Sequence, residues 1–224
     1  MAYRRTEKVV RRLAARREAI LGAARAAAAE GGMAAVHIAP VAERAGIAAG
    51  TVYRYFPGKT DLVVELVTAV SERDLAAMRR AADAAPGTLS ALAAAIATFA
   101  ARALQSRRLA WALLAEPAEA DIDAARLVYR RGIVEELEKR ISAAGKAGHL
   151  PEQDAALAAA ALVGALVEGL IGPLAPAAVD GPTASREPVQ TLTLLALRAL
   201  GVVDARARGL VVQTALPAPD DGAG

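Results

Sequence analysis

The sequence contains no cysteine. That excludes disulfide frameworks, thiolate zinc sites and cysteine nucleophiles. Histidine is nearly as scarce: the two copies, His37 and His149, lie far apart, which argues against a histidine-based metal or catalytic centre. A Glu-x-x-His motif and a Gly-rich phosphate loop are missing too, so no enzyme and no cofactor are expected. Long apolar runs are also lacking. The 13 residues Ala155 to Val167 carry no charge, but a bilayer span needs about 20, and no membrane partner is expected. The opening MAYRRTEKVVRRLAARRE is charged with no apolar stretch behind it, unlike a secretory signal. The expected location is therefore cytoplasmic.

Aromatic residues make up only 3% of the 224, whereas hydrophobic residues make up 55%, much of it alanine. Alanine is the best helix former and a poor strand former, so the composition predicts an all-α protein. The length allows one large or two small domains with a real core. Net charge is a modest +3, unevenly spread. Residues 1–60 hold 11 Lys/Arg against 4 Asp/Glu, and residues 61–224 hold 16 against 20. A basic N-terminal quarter on a mildly acidic remainder points to an anionic partner for that quarter alone.

Residues 1–12 form a basic arm, either frayed or the first turns of a longer helix. Leu13, Ile20, Leu21, Ala24, Ala27 and Ala28 then recur at three- and four-residue spacings, one face of an amphipathic helix ended by Gly31-Gly32. The stretch Ile38 to Leu62, IAPVAERAGIAAGTVYRYFPGKTDL, reads as a helix-turn-helix. Small Ala42 lets the second helix approach, and Gly46, four residues on, suits a turn needing positive φ. Val41, Ala45, Ile47, Val52 and Tyr55 are the residues expected to pack between the helices.

The continuation, Thr51-Val52-Tyr53-Arg54-Tyr55-Phe56-Pro57-Gly58-Lys59-Thr60-Asp61-Leu62, resembles the signature of the TetR family of transcriptional regulators. There a short recognition helix ends in Tyr-x-(Tyr/His)-Phe, and Lys, then Leu three residues on, begin the fourth helix. The resemblance covers roughly residues 13–66 specifically and the rest in outline. It implies a three-helix DNA-binding domain over 1–62, a helical effector-binding and dimerisation domain over 63–215, and a tail, 216–224, expected to be disordered. Two departures stand out. Ala48-Ala49 replaces the Ser or Thr that many relatives carry after the turn, and His37 stands where Thr or Ser is common.

By the resemblance, Thr51, Tyr53, Tyr55 and Lys59 face the DNA backbone; independently, hydroxyls and an ammonium at a helix end suit phosphate oxygens. Tyrosines two apart on a helix face different ways, so one of the pair is core or semi-core, and Phe56 is packing. Arg54, taken as the one long donor inside the recognition helix, either grips guanine O6 and N7 or meets a phosphate or surface carboxylate. Gly50 and Ala49 let the backbone sit close in the groove beside Ala48. His37 is a phosphate contact or a helix-start cap. Arg4, Arg5, Lys8, Arg11 and Arg12 either track the DNA backbone or are simply solvated.

Beyond Leu62 the periodicity predicts helices over 62–82, 89–104 and 121–144, with an apolar patch at 109–114 between the last two. Ile122, Leu127, Tyr129 and Val134 mark the third of these. A Pro-rich loop over 172–188 precedes a last helix over 189–200. In the family the central helices enclose an effector pocket, which implies Met78, Phe99, Arg102, Trp111, Glu116 and Tyr129 as candidate lining; ordinary core or a surface ion pair accounts for each of them as well. Relatives dimerise through their last two long helices, which implies Leu162, Leu166, Leu170, Leu192 and Leu195 at a homodimer interface. The sequence thus reads as a ligand-responsive regulator of double-stranded DNA, a repressor released from a pseudo-palindromic operator by a small apolar effector of unknown identity. A helical-bundle enzyme or carrier, or a DNA binder without effector, are the alternatives.

Overall fold

The computed structural model describes the backbone over residues 2–177 and 186–216, and side chains from residue 7. The side chains of Arg4 and Arg5, the middle of the Pro-rich loop and the tail beyond Leu216 lie outside the described residues. Among the described residues there are only helices and connections: α1 (Ala2–Gly31), a single 3-10 turn (Met33–Ala35), α2 (Ile38–Arg44), α3 (Ala49–Tyr53), α4 (Lys59–Asp83), α5 (Thr88–Gln105), α6 (Arg107–Leu114), α7 (Ala120–Lys146), α8 (Ala155–Leu170), α9 (Arg186–Ala199) and α10 (Asp204–Gln213). The all-α class follows from the alanine content. The helix α10 was not anticipated; Gly209 and three charged residues dilute its apolar signal.

The basic arm takes the second of its two expected forms, the first turns of one 30-residue helix. Alanine and arginine favour helix, and no proline interrupts them. Burial begins at Ile20: Ile20, Ala24 and Ala28 are fully buried, whereas Leu13 is 48% exposed, one turn ahead of Arg17, the first residue to reach across to α4. The α2–α3 turn is built as the spacing predicts. Val41, Ala42 and Val52 are buried, Ala45, Ile47 and Tyr55 pack partly against them, and Gly46 adopts φ 65°. Pro40 costs α2 little, since the first-turn N–H groups of a helix have no intrahelical partner anyway.

In the body, α5 is the central element. It is apolar and, at 18 residues, long enough to cross a membrane, yet most of it is buried. Its alanines let α4, α7 and α9 close around it, with Leu92 and Ile96 filling the centre. A buried Leu or Ile of this kind contributes about 1.5–3 kcal/mol. The helix α7 turns Ile122 and Tyr129 inward and leaves Val134 half-buried, but Leu127 lies 55% exposed, one residue off the apolar stripe. The domains are tied by α1 against α6 and α4, and by Thr60, whose hydroxyl donates to Glu119 Oε2 at 2.8 Å.

Candidate nucleic-acid interface and effector cavity

The DNA-facing candidates gather on the outer side of the small domain. Tyr53 is 54% exposed, Arg54 is exposed, and Thr51, Tyr55 and Lys59 are half-buried. Of the two tyrosines, Tyr55 is the one packed on the core. Phe56 is buried, with the Arg17 guanidinium 5.6 Å over its ring, and Arg17 also pairs with Glu65 at 2.5 Å. These contacts close α1 and α4 over the helix-turn-helix. Arg54 is not inside the recognition helix: α3 ends at Tyr53 and Arg54 is its C-cap. His37 and Ala48 hold the N-cap positions of α2 and α3, and neither supplies a side-chain cap. For Ala48 that is the direct result of the missing hydroxyl. Ala49 and Gly50 stand in the first turn of α3, with Gly50 exposed. Arg44 is engaged elsewhere, in a two-pronged bond to Glu30 at 2.6 and 2.8 Å.

In the body, a cavity of about 50 Å³ lies between α1, α4, α5, α6 and α7. Its apolar lining includes Val70, Phe99, Leu109, Leu113 and Leu114. Its polar lining includes Arg25, Arg73, Asp74, Arg102 and Tyr129, with Gln105 and Ser106. Asp74 Oδ1 accepts from Arg102 Nε at 2.5 Å, and Oδ2 accepts from the Tyr129 hydroxyl at 2.5 Å. Burial, then the neighbouring Asp74 charge, pushes the Tyr129 hydroxyl well above its ordinary value. It stays protonated and acts as a donor. Of the six expected lining residues, the structure brings together Phe99, Arg102 and Tyr129. Met78 is fully buried core. Trp111 lies half-buried on the other side of α6, beside Arg107, Arg108 and the 171–177 segment.

Glu116 is not a cavity anchor. It joins α6 to the small domain: Arg108 Nη1 lies 3.2 Å from Glu116 Oε2, Arg108 Nη2 donates to the Gly31 carbonyl at 3.2 Å, and Glu116 Oε2 accepts from the Met33 N–H at 3.3 Å. Gly32, φ 70°, makes room for it, since a Cβ there would lie 1.9 Å from Arg108 Nη2. Asp74, Arg25 and Arg73 were missed from the sequence. Asp74 left a signal, because Leu62, Leu66, Val70, Asp74 and Met78 follow one another at four-residue steps, placing a carboxylate on a buried stripe.

Of the dimer candidates, Leu162, Leu166 and Leu170 point into the protomer, at 7, 2 and 1% exposed, so they serve its own core rather than a partner. The α8 repeat puts Leu162, Leu166 and Leu170 inward and Leu157, Ala160, Ala161, Gly164 and Ala165 outward. Leu192 packs beside Gly169 of α8, and Leu195 is 55% exposed.

A family model described as bacterial regulatory proteins, tetR family, matches residues 20–66. The HTH-type transcriptional repressor KstR of Mycolicibacterium smegmatis is 49% identical over 67 residues, 30% of this chain and 33% of that protein. KstR of Mycobacterium tuberculosis is 53% identical over 49 residues, 22% of each chain. The matched stretch thus spans a third or less of these curated relatives' length. Among solved structures, RolR in complex with resorcinol aligns with a TM-score of 0.66 at 21% identity, over 94% of this chain and all of that one. FadR of Bacillus halodurans aligns with a TM-score of 0.68 at 20% identity, over 80% and 97%. The tetR family model thus matches the helix-turn-helix part of the chain, and the two-part helical fold around it is shared with these solved structures along nearly its whole length.

Proposed function

We propose that this protein is a cytoplasmic, homodimeric transcriptional repressor that binds double-stranded DNA through α2 and α3 and is released by a small-molecule effector. The observation that carries this is the cavity, whose wall is shared between the body and α1 of the DNA-binding domain through Arg25. A molecule seated there acts on both domains at once. The Arg108–Glu116 bridge to Gly31 and Met33 gives α6 a second grip on the same helix end. Effector binding shifts the population toward a spacing of the two DNA-binding domains that no longer matches the half-sites.

Dimerisation uses the outward faces of α8 and α9. The small residues of α8 let a second copy approach closely, and Leu195 supplies apolar area. Two-fold symmetry then places paired recognition helices on a pseudo-palindromic site. On each half-site Thr51, Tyr53, Tyr55, Lys59 and His37 meet phosphates, while Ala48, Ala49 and Gly50 allow close approach. Arg54, at the C-cap of α3, is the long side chain that reaches base edges or the backbone. Lys8, Arg12 and Arg16 are exposed along the free part of α1 and extend the phosphate-facing surface. In support, KstR is named a transcriptional repressor, and RolR and a Bacillus subtilis FadR are described with resorcinol and stearoyl-CoA bound.

The test is selection of bound sequences from random DNA, then a compound screen for release of the best binder. A palindromic consensus released by a compound is expected; absence of any enriched sequence removes the proposal. Lys59→Ala is expected to weaken binding to all sequences alike and to lower the salt slope by about one unit per docked protomer. An unchanged slope takes Lys59 off the contact surface.

A further inference from the structure

Four consecutive residues at the end of α1 are held from two sides. Glu30 is gripped by Arg44, the last residue of α2, through two bonds of 2.8 and 2.6 Å. On the other side the Gly31 carbonyl accepts from Arg108 of α6 at 3.2 Å, and the Met33 N–H donates to Glu116, just past α6, at 3.3 Å. Between them Gly32 takes φ 70° and leaves, where a Cβ would stand, the space that the Arg108 guanidinium and the Glu116 carboxylate fill. Arg108 and Glu116 pair with each other at 3.2 Å, and Arg126 of α7 holds the Glu116 carbonyl. Both ends of α6 therefore close on one turn of chain that is also bonded to the helix-turn-helix.

The helix α4 packs on α1 and also on α5 and α7, so it enters both domains. One helix alone leaves the small domain free to turn about it until a second contact, through a different helix, stops the turning. We infer that residues 30–33 make that second contact: a joint that sets the angle of the helix-turn-helix on the body, with Glu30, Arg44, Arg108 and Glu116 as positioning residues for DNA docking. The two grips are unequal. Bonds of 2.6 and 2.8 Å between Arg44 and a carboxylate are short and charge-assisted, whereas 3.2 and 3.3 Å lie at the long limit for N–H···O. A displacement of α6, whose Leu109 and Leu113 line the cavity, parts the body side first, and the end of α1 then moves with α2 as one piece. This rests on the repressor reading above and names the joint that it leaves open.

The experiment uses the full-length protein and, as probe, the DNA duplex recovered by the selection above. Glu30→Ala and Glu116→Ala each remove a negative charge, so charge alone would tighten the DNA complex. Loss of the joint acts in the opposite direction, because only a fraction of the freed orientations fits the DNA. Each variant is expected to raise the dissociation constant about fivefold. Arg108→Ala combined with Glu116→Ala is expected to do no more than the larger single change, since both residues serve one grip. The angle itself is read without DNA, from the distance between spin labels on Glu43→Cys and Lys139→Cys in one chain, diluted with unlabelled protein. Both positions are exposed, and the chain has no native cysteine to compete for label. A wider spread of that distance is expected in Glu30→Ala and Glu116→Ala than in the parent. Thermal unfolding checks that each variant folds, and Glu30, exposed on the surface, supplies the variant least exposed to that risk. Unchanged or tighter DNA binding in a folded variant, additive loss in the double variant, or an unchanged distance spread overturns the joint. Failure to enrich any DNA sequence sinks the repressor reading instead, and the label distances still decide the joint.

Discussion

Arg140→Ala is expected to destabilise the body by about 3 kcal/mol, lowering the unfolding midpoint by roughly 6–12 °C. Glu136 is 4% exposed, and Arg140 reaches it at 2.6 Å on the same face of α7 while also holding Asp83 of α4 at 2.7 Å. Removing the guanidinium leaves the Glu136 carboxylate facing Arg79, 3.5 Å away and half-exposed, as its remaining ion-pair partner among the described residues. That partial answer places the cost at the low end of the range for a broken buried pair. Replacing Arg140 and Glu136 together by leucine is expected to recover most of the loss, because no unpaired charge then remains. A single variant as stable as the parent would show that water reaches Glu136 freely.

Arg140 also sets a pH response, through Asp83. The Arg140 guanidinium bonded to Asp83 holds that carboxyl below its usual value. A depressed carboxylate contributes stability above its unfolded-state pKa and loses it as pH falls through the folded value. Acid titration of stability should therefore be shallower in Arg140→Ala than in the parent, in the range below the ordinary carboxylate pKa.

Arg126→Ala is expected to cost about 3 kcal/mol as well and, in addition, to blunt effector response. Arg126 is buried on α7, and its guanidinium donates to the Ala112 carbonyl at 2.5 Å and to the Glu116 carbonyl. It also bonds Asp123 at 2.9 Å. Two carbonyls at the end of α6 would lose their donor, each at about 1–3 kcal/mol, less whatever water recovers. The segment so freed carries Glu116, the residue that reaches Met33. Denaturant unfolding and the compound concentration for half-release of DNA check the two parts separately. Arg126→Lys should recover the charge but not the two-carbonyl grip. An unchanged unfolding free energy in Arg126→Ala would remove the guanidinium from this structural role.

Residues whose consequence is local are legible in the sequence: alanine content sets the class, Gly46 and Ala42 make the turn, and the glycine pair ends α1. Which neighbour a helix face meets is not local, and there the sequence is ambiguous. Leu162, Leu166 and Leu170 form a stripe that is equally suited to a partner or to α7 and α5, and only the packing shows that it faces inward. Trp111 drew notice as the only tryptophan, although rarity says nothing about direction, and it lies on the far side of α6 from the cavity. Glu116 was recognisable as a polar group of interest, but its partners, Arg108 aside, come from a distant part of the chain. Asp74 is the instructive miss. A carboxylate at a four-residue step among Val70 and Met78 conflicts with a buried stripe, and such conflicts tend to fall at functional sites.

The continuity of α1 has a consequence in time. Its amides over residues 7–16 rely mainly on the helix's own bonds, since the side chains there are all exposed and contacts with the rest of the domain begin at Arg17. A helix of that length is marginal alone in water, so those amides should exchange with solvent quickly. The amides after Ile20 should wait for the core to open. Phosphates gripping Lys8, Arg12 and Arg16 would slow the first group and leave the second untouched, so exchange along this one helix would time docking and unfolding on separate clocks.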